Sequence, residues 1–159
     1  MPVLRKLRAF LNDQGVAYDV LSHPRAYTSE GVAAAQHVSG HELAKVVIAK
    51  TDGRFVMAVL PATSRLDLHK LGDLTGDAHT GLATEEEFSG SFPGCEVGAM
   101  PPFGNLYDMR VYADRRLAEH ESIVFEAGTH TETIRLSWSD FMRLVRPTVG
   151  VLTLMHEDV

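Results

Sequence analysis

Two lysines, a glycine- and proline-rich loop and one loop histidine are the parts of this chain whose types and spacing could do chemistry. The lysines are Lys45 and Lys50, flanking the apolar tetrad Val46-Val47-Ile48-Ala49. Strand alternation places Lys45 on the face of Val47 and Ala49, and Lys50 on that of Val46 and Ile48. In a sheet covered on both sides at least one ammonium then starts near buried surface, where it needs a partner or a polar site. The plainer alternative is that both lysines mark strand ends at the solvent boundary. Lysine is scarce here, with four against 11 arginines, so each placement is informative.

The loop GAMPPFGN (98–105) carries no charge in mid-chain. Gly98 and Gly104 can take positive φ, while Pro101 and Pro102 fix φ and remove two amide donors. Such a backbone can present N–H and C=O groups in a set geometry, one way to hold a water or a carbonyl without a charged side chain. A rigid surface turn would have the same composition. In EAGTHTETIRL (126–136), Gly128, Thr129 and His130 sit at a tight connection between two strands. A histidine there suits an acid, a base or a hydrogen-bond donor, or only a local turn bond.

Other constellations are weaker. His37 and His41 have the i,i+4 spacing of zinc ligands on one helix face, but Ser39-Gly40 between them ends a helix and no further Cys/His pair completes a shell. Cys95 follows the Pro93-Gly94 turn without a recognisable nucleophile motif and reads as a half-buried, inert thiol. Phosphate loops of the GxxxxGK[ST] and GxGxxG types are absent. No metal and no cofactor is expected.

The elements that must position these residues can be read from periodicity. Residues 2–14 form an amphipathic helix stopped by Gly15, and VAYDVL (16–21) a short strand. Thr28 starts a second, Ala-rich helix. Residues 45–62 form a hairpin through Asp52-Gly53. Segments 65–76 and 84–92 read as short helices, 109–114, 122–128 and 131–137 as strands, and Ser137 to Asp140 as the cap of a helix before a last strand, TVGVLTL. The expected fold is mixed α+β: a single domain over 1–159 with a six- to seven-stranded, mixed sheet and several helices.

Composition narrows the partners. The formal net charge is −6, the opposite of what a long nucleic-acid grip needs, so contact with RNA should be small or assisted and DNA is not an expected partner. No apolar run approaches the roughly 20 residues of a membrane span. A single cysteine and an amphipathic N-terminus without signal-peptide features read as cytoplasmic.

Taken in order, these pieces resemble a family. They are the N-terminal helix and strand, His23-Pro24 with Thr28 before an Ala-rich helix, Lys45 opening an apolar strand, G-x-x-x-P at Gly98–Pro102 followed by Phe103-Gly104, and Gly128-Thr129-His130 ahead of a strand. The set looks like the YbaK-type, prolyl-tRNA-synthetase-associated editing domains, over about residues 5 to 147. The resemblance implies a barrel-like sheet surrounded by helices. It implies a metal-independent, trans-acting hydrolase that removes a wrong amino acid from the 3′ end of a tRNA, most often tRNA(Pro), with a synthetase as a further partner.

Carried over, Lys45 matches the family's essential lysine, Gly98 and Pro102 its loop, and His130 with Gly128 the glycine–histidine loop of the pocket. Lys45, Gly98 and His130 become the expected catalytic residues. Thr28, Pro102, Phe103, Gly104, Gly128 and Thr129 become the expected substrate-binding ones. In the branch that clears alanine, the lysine is followed by asparagine; here Val46 follows it, so alanine, 2-aminobutyrate, serine and cysteine all stay open. The competing expectation is a non-catalytic module of the same fold that binds tRNA or a synthetase.

Overall fold

The structure, a computed structural model, describes residues 4–22, 42–96 and 98–154. Helix α1 (Arg5–Asp13) turns Leu7 and Leu11 into the core, as its spacing predicts. Strand β1 (Tyr18–Ser22) follows. The strands β2 (Ala44–Thr51) and β3 (Arg54–Pro61) pair antiparallel in unbroken register from Ala44–Pro61 to Thr51–Arg54. Asp52 and Gly53 both take positive φ, 52° and 74°, the geometry of a two-residue type I′ hairpin turn.

Helix α2 (Leu68–Thr75) is capped by the Asp67 carboxylate and stopped by left-handed Gly76. The two-residue β4 (Gly81–Leu82) and the single-turn α3 (Glu85–Phe88) come next, α3 opening on a Thr84–Glu87 capping box. Strands β5 (Arg110–Asp114), β6 (Ser122–Glu126) and β7 (Glu132–Ser137) lead to α4 (Trp138–Val145), whose first turn is capped by Ser137, and β8 (Thr148–Gly150) ends the fold. Thr28, the alanines 33–35, His37 and His41 lie outside the described residues.

The fold is mixed α+β, as expected, but the sheet is not a closed barrel. Among the described residues eight strands form two sheets, one in the order β1-β7-β6 and one in the order β4-β2-β3-β5-β8. Pairing is antiparallel except for the parallel β3–β5 and β5–β8 contacts. The sheets meet at a seam where Leu43 makes a parallel bridge to Val124. Closure would need that bridge to extend into a ladder, and among the described residues it stays a single bridge.

The main core lies on the shared inner face, where Ala44 and Ile48 of β2 and Ile123 and Phe125 of β6 meet Leu7, Leu11, Phe103 and Phe141. A smaller core of Ala49, Leu60, Leu71 and Leu152 covers the other face of the five-stranded sheet. Among the described residues, no helix is long and apolar enough to cross a membrane.

Candidate functional site

The loop after β6 carries His130. Gly128 in it has φ +98°, a conformation that disfavours any side chain, and a Cβ there would stand 3.0 Å from Cβ of Leu4. The Leu4 N–H donates to Ala127 O at 3.0 Å, so the chain entering α1 lies directly against this loop.

The loop leading into GAMPPFGN is tied to it. Glu96 N–H donates to Gly128 O at 2.8 Å, and Gly128 N–H donates to Ala99 O at 2.9 Å. The Glu96 carboxylate accepts the backbone N–H of His130 at 2.8 Å. Gly98, exposed with φ +85°, faces the imidazole: a Cβ on it would stand 3.5 Å from Cε1 and 3.9 Å from Nε2 of His130. Two segments about 30 residues apart in sequence are thus locked into one surface, with Gly98 at its rim and His130 behind it.

The rest of GAMPPFGN does something else. Ala99 through Gly104 are all buried. Phe103 is fully buried with its ring against Phe10, Phe125 and Phe141, at centroid distances of 6.1, 5.4 and 5.8 Å. A Cβ on Gly104 would stand 2.6 Å from Met109 O and from Val111 Cγ2. Phe103 and Gly104, expected to touch substrate, therefore anchor the loop from the core side, and buried Pro102 lies with them. Burial also explains the missing charges, since an unpaired ion among these rings would be costly. Thr129 is half-buried, and its hydroxyl accepts the Thr131 N–H at 3.3 Å within the turn.

Lys45 is half-buried on β2 opposite Leu60. Its neighbours Ala44 and Val46 belong to the main core, so Lys45 points from the other face of the strand. The Leu43–Val124 bridge fixes what shares that face. Two residues further along each strand stand Lys45 on β2 and Glu126 on β6. Lys50 lies at the far end of β2 in an ion pair with Glu87, away from this surface.

The residues missed from sequence are the two acids that bracket His130. Glu96 holds its backbone, and Glu126 Oε2 lies 3.5 Å from its Nδ1. Glu126 ends an apolar strand and is 8% exposed, His130 5%. Burial, with the charge of Glu96 nearby, pushes the Glu126 carboxyl up to about 7. The available signal was the i,i+4 spacing of Glu126 and His130 across a tight turn.

Among the described residues no group of three or more His, Cys, Asp or Glu side chains is arranged for a metal. Cys95 is half-buried, with its sulfur 3.8 Å from the Tyr107 hydroxyl, and burial pushes the thiol up, away from the reactive thiolate. Two clefts lie elsewhere, one of about 1140 Å³ beside the Asp52-Gly53 turn and one of about 840 Å³ beside Trp138. Neither is lined by Lys45, Gly98 or His130. The chemistry-bearing surface formed by the described residues holds an exposed positive-φ glycine, an imidazole edge behind it and, on the strand bridged to β6, a half-buried lysine. It suits hydrogen bonding to a polar, already activated group better than it suits redox or covalent chemistry.

Comparison with known proteins supplies the family. A curated relative from Escherichia coli (strain K12), the multifunctional Ser/Thr-tRNA deacylase ProXp-y, is 28% identical over 148 residues, covering 90% of this chain and 88% of the relative. A crystal structure of a proposed trans-editing enzyme for prolyl-tRNA synthetase superposes with a TM-score of 0.83 at 22% identity, over 94% of this chain and 96% of the other. A scaffold protein for computationally grafted linear epitopes superposes with a TM-score of 0.82 at 20% identity, over the same shares. The model of the aminoacyl-tRNA editing domain matches residues 23–144, which span β2 to β7 and the loops of Gly98 and His130. The chain belongs to the aminoacyl-tRNA editing domain family, and its activity is that of an aminoacyl-tRNA deacylase.

Proposed function

We propose that the protein acts in trans on tRNA carrying a small, wrongly attached amino acid, and that Lys45, Gly98 and His130 carry the reaction. The observation that supports this most directly is the locked pair of loops that sets exposed Gly98 against the His130 imidazole.

The reaction is hydrolysis of an activated ester. A water oxygen attacks the carbonyl carbon, and negative charge develops on the carbonyl oxygen. The bond to the terminal ribose oxygen then breaks, and a proton returns to that oxygen. The products are the free amino acid and a tRNA with an intact 3′ end. In our reading, backbone around Gly98 receives the carbonyl and orients the water, where fixed dipoles stabilise the developing oxyanion. His130 bonds the water or a ribose hydroxyl, and the substrate's own 2′-hydroxyl assists. Lys45 holds the terminal phosphate and ribose from the adjoining strand face. Every step uses protein groups, the substrate and water.

For the amino acid, the deacylase relative named for serine and threonine supports a small hydroxyl-bearing substrate. Alanine, 2-aminobutyrate and cysteine remain within reach, because a pocket gains only about 1–3 kcal/mol from each methylene it accepts or rejects. Val46 packs on the main core, on the opposite face of β2 from Lys45, so it reaches the site only through the backbone. The neighbour linked to prolyl-tRNA synthetase supports tRNA(Pro) as the carrier, with that synthetase at hand.

The test is a panel of tRNA(Pro) charged with proline, alanine, 2-aminobutyrate, serine, threonine and cysteine. Hydrolysis of at least one non-cognate ester is expected while prolyl-tRNA survives. Lys45→Ala and His130→Ala should each lower kcat/KM by about 100-fold or more without loss of fold. Hydrolysis of none of the panel would instead identify a binding module. Full activity in a folded Lys45→Ala variant would remove Lys45 from the mechanism.

A further inference from the structure

Glu126 has no place in the reaction just described, yet it is a buried acid aimed at the histidine of the site. It ends β6 opposite Thr133 of β7 and is more than nine-tenths buried. Its Oε2 makes no hydrogen bond of ordinary geometry among the described residues and lies 3.5 Å from Nδ1 of His130. The other edge of the ring, Cε1 and Nε2, is the one that looks at Gly98. One ring nitrogen therefore meets a buried carboxyl and the other meets the exposed loop.

We propose that Glu126 is a positioning residue, which orients the His130 ring from behind and decides which of its nitrogens carries the proton presented toward Gly98. The proposal deepens the reading of His130 as a participant in deacylation, and that catalytic consequence rests on that reading.

The argument is one of donors and acceptors. A neutral imidazole has one N–H and one lone pair, and the partner of one nitrogen selects the role of the other. An ionised Glu126 accepts a hydrogen bond from Nδ1–H, leaving the Nε2 lone pair toward Gly98 to take a proton from water or a ribose hydroxyl. A neutral Glu126 donates its own O–H to Nδ1, which turns Nε2–H toward the loop as a donor. Passing between the two states releases one proton from the pair and moves the ring proton across the imidazole.

Several groups face this pair. Glu96 accepts the His130 backbone N–H and opposes ionisation of Glu126. On β7, Thr133 pairs with Glu126 and Arg135 with Val124; Arg135 Nε lies 3.5 Å from Glu42 Oε2. Lys45 shares the strand face from β2. Burial and Glu96 hold the carboxyl at about 7, so the exchange falls within the ordinary working range of pH.

The experiment follows the ring nitrogens of His130 by ¹⁵N NMR in the full chain from pH 5.5 to 8.5, with His130→Gln identifying the signals. The protonated nitrogen should change from Nε2 to Nδ1 as pH rises, with a midpoint near that of Glu126. In Glu126→Gln, which keeps the shape and cannot ionise, the midpoint should vanish. In parallel, the pH profile of kcat should lose its limb near 7 in Glu126→Gln, with a drop of about tenfold or more at pH 8 and little change in KM. If Glu126→Gln melts early, Glu126→Asp keeps the charge and withdraws it by one methylene, so the midpoint should move rather than vanish.

Identical ring titration in wild type and Glu126→Gln, or a His130 ring doubly protonated across the whole range, overturns the proposal. A ring that responds as described while kcat does not would uphold the positioning by Glu126 and remove His130 from the catalytic reading.

Discussion

At the scale of single residues, the exposed rim of the site depends on Gly98 adopting φ +85°. A side chain there would meet His130 at ordinary contact distance, so space alone does not forbid alanine. The backbone conformation does, at a cost of about 1–2 kcal/mol for a non-glycine residue. Gly98→Ala should therefore lower thermal stability modestly and reduce kcat by tenfold or more, because the loop relieves its strain by withdrawing from the imidazole. Steady-state deacylation alongside a melt checks both, and unchanged kcat would mean that this backbone does not meet substrate. Glu126 gives a second residue-scale expectation. Its carboxyl is raised from an ordinary 4.5 to about 7 in the fold, so the folded state holds its proton more tightly than the unfolded chain does. The stabilisation is fully present below about pH 4.5 and is lost as pH rises through about 7, a swing of roughly 3 kcal/mol. Urea titrations from pH 5 to 8 should show that fall in wild type and a flatter line in Glu126→Gln. Lys45, Gly98 and His130 drew attention in the sequence, each weakly by itself, and only the order and spacing of the whole set, through its resemblance to the editing domains, made them candidates. Glu126 was not legible, because an acid at a strand end reads as the point where a strand meets water. Only the fold shows the turn that buries it.

At the scale of elements, local chemistry revealed what local chemistry decides. The Asp52-Gly53 hairpin, the stop at Gly76 and the Ser137 cap of α4 all stand where turn and cap residues place them. The two-residue β4 and the division into two sheets were not legible, because both depend on long-range pairing that no window of sequence contains. The same holds for GAMPPFGN, whose composition reads as an exposed cradle. It is mostly core plug, with only its two ends, Gly98 and Asn105, exposed and Phe103 packed at its centre. The seam between the sheets is the element-scale feature on which the site most depends, because it places β2 with Lys45 beside β6 with Glu126. Glu42 holds that seam. Its carbonyl accepts Val124 N–H at 3.3 Å, and its carboxylate accepts the Ser122 hydroxyl at 2.7 Å with Arg135 Nε 3.5 Å away. Glu42→Ala should cost about 1–3 kcal/mol, since it leaves the Ser122 hydroxyl without its acceptor and removes the carboxylate that stands 3.5 Å from Arg135 Nε. It should also lower kcat/KM through displacement of Lys45. Glu42→Gln, which keeps an acceptor for Ser122, should recover much of the stability, and chemical denaturation of the three proteins decides the point.

At the scale of the whole molecule, the balance to explain is a net charge of −6 on a protein whose substrate is a polyanion. A domain that tracked the acceptor stem through many phosphates would release a counterion at each contact, and its affinity would collapse as salt is raised. An acidic domain that reads mainly the terminal nucleotide, the ester and the amino acid needs few such contacts. A site that offers, among the described residues, the Gly98 backbone, the His130 ring and the Lys45 ammonium fits that economy. The expected outcome is a weak salt dependence. Between 50 and 200 mM salt, KM for mischarged tRNA should rise by about sevenfold to twentyfold, the response of two or three phosphate contacts on a single strand, with kcat unchanged. A rise of about a thousandfold or more would signal six or more contacts, and hence a basic surface elsewhere on the molecule. Lys45→Gln should lower the slope of log KM against log salt by about one contact if its ammonium meets a phosphate, and leave the slope unchanged if it meets only the ribose or the ester. That single slope separates the two duties proposed for Lys45, and it does so without relying on the rate of the chemical step.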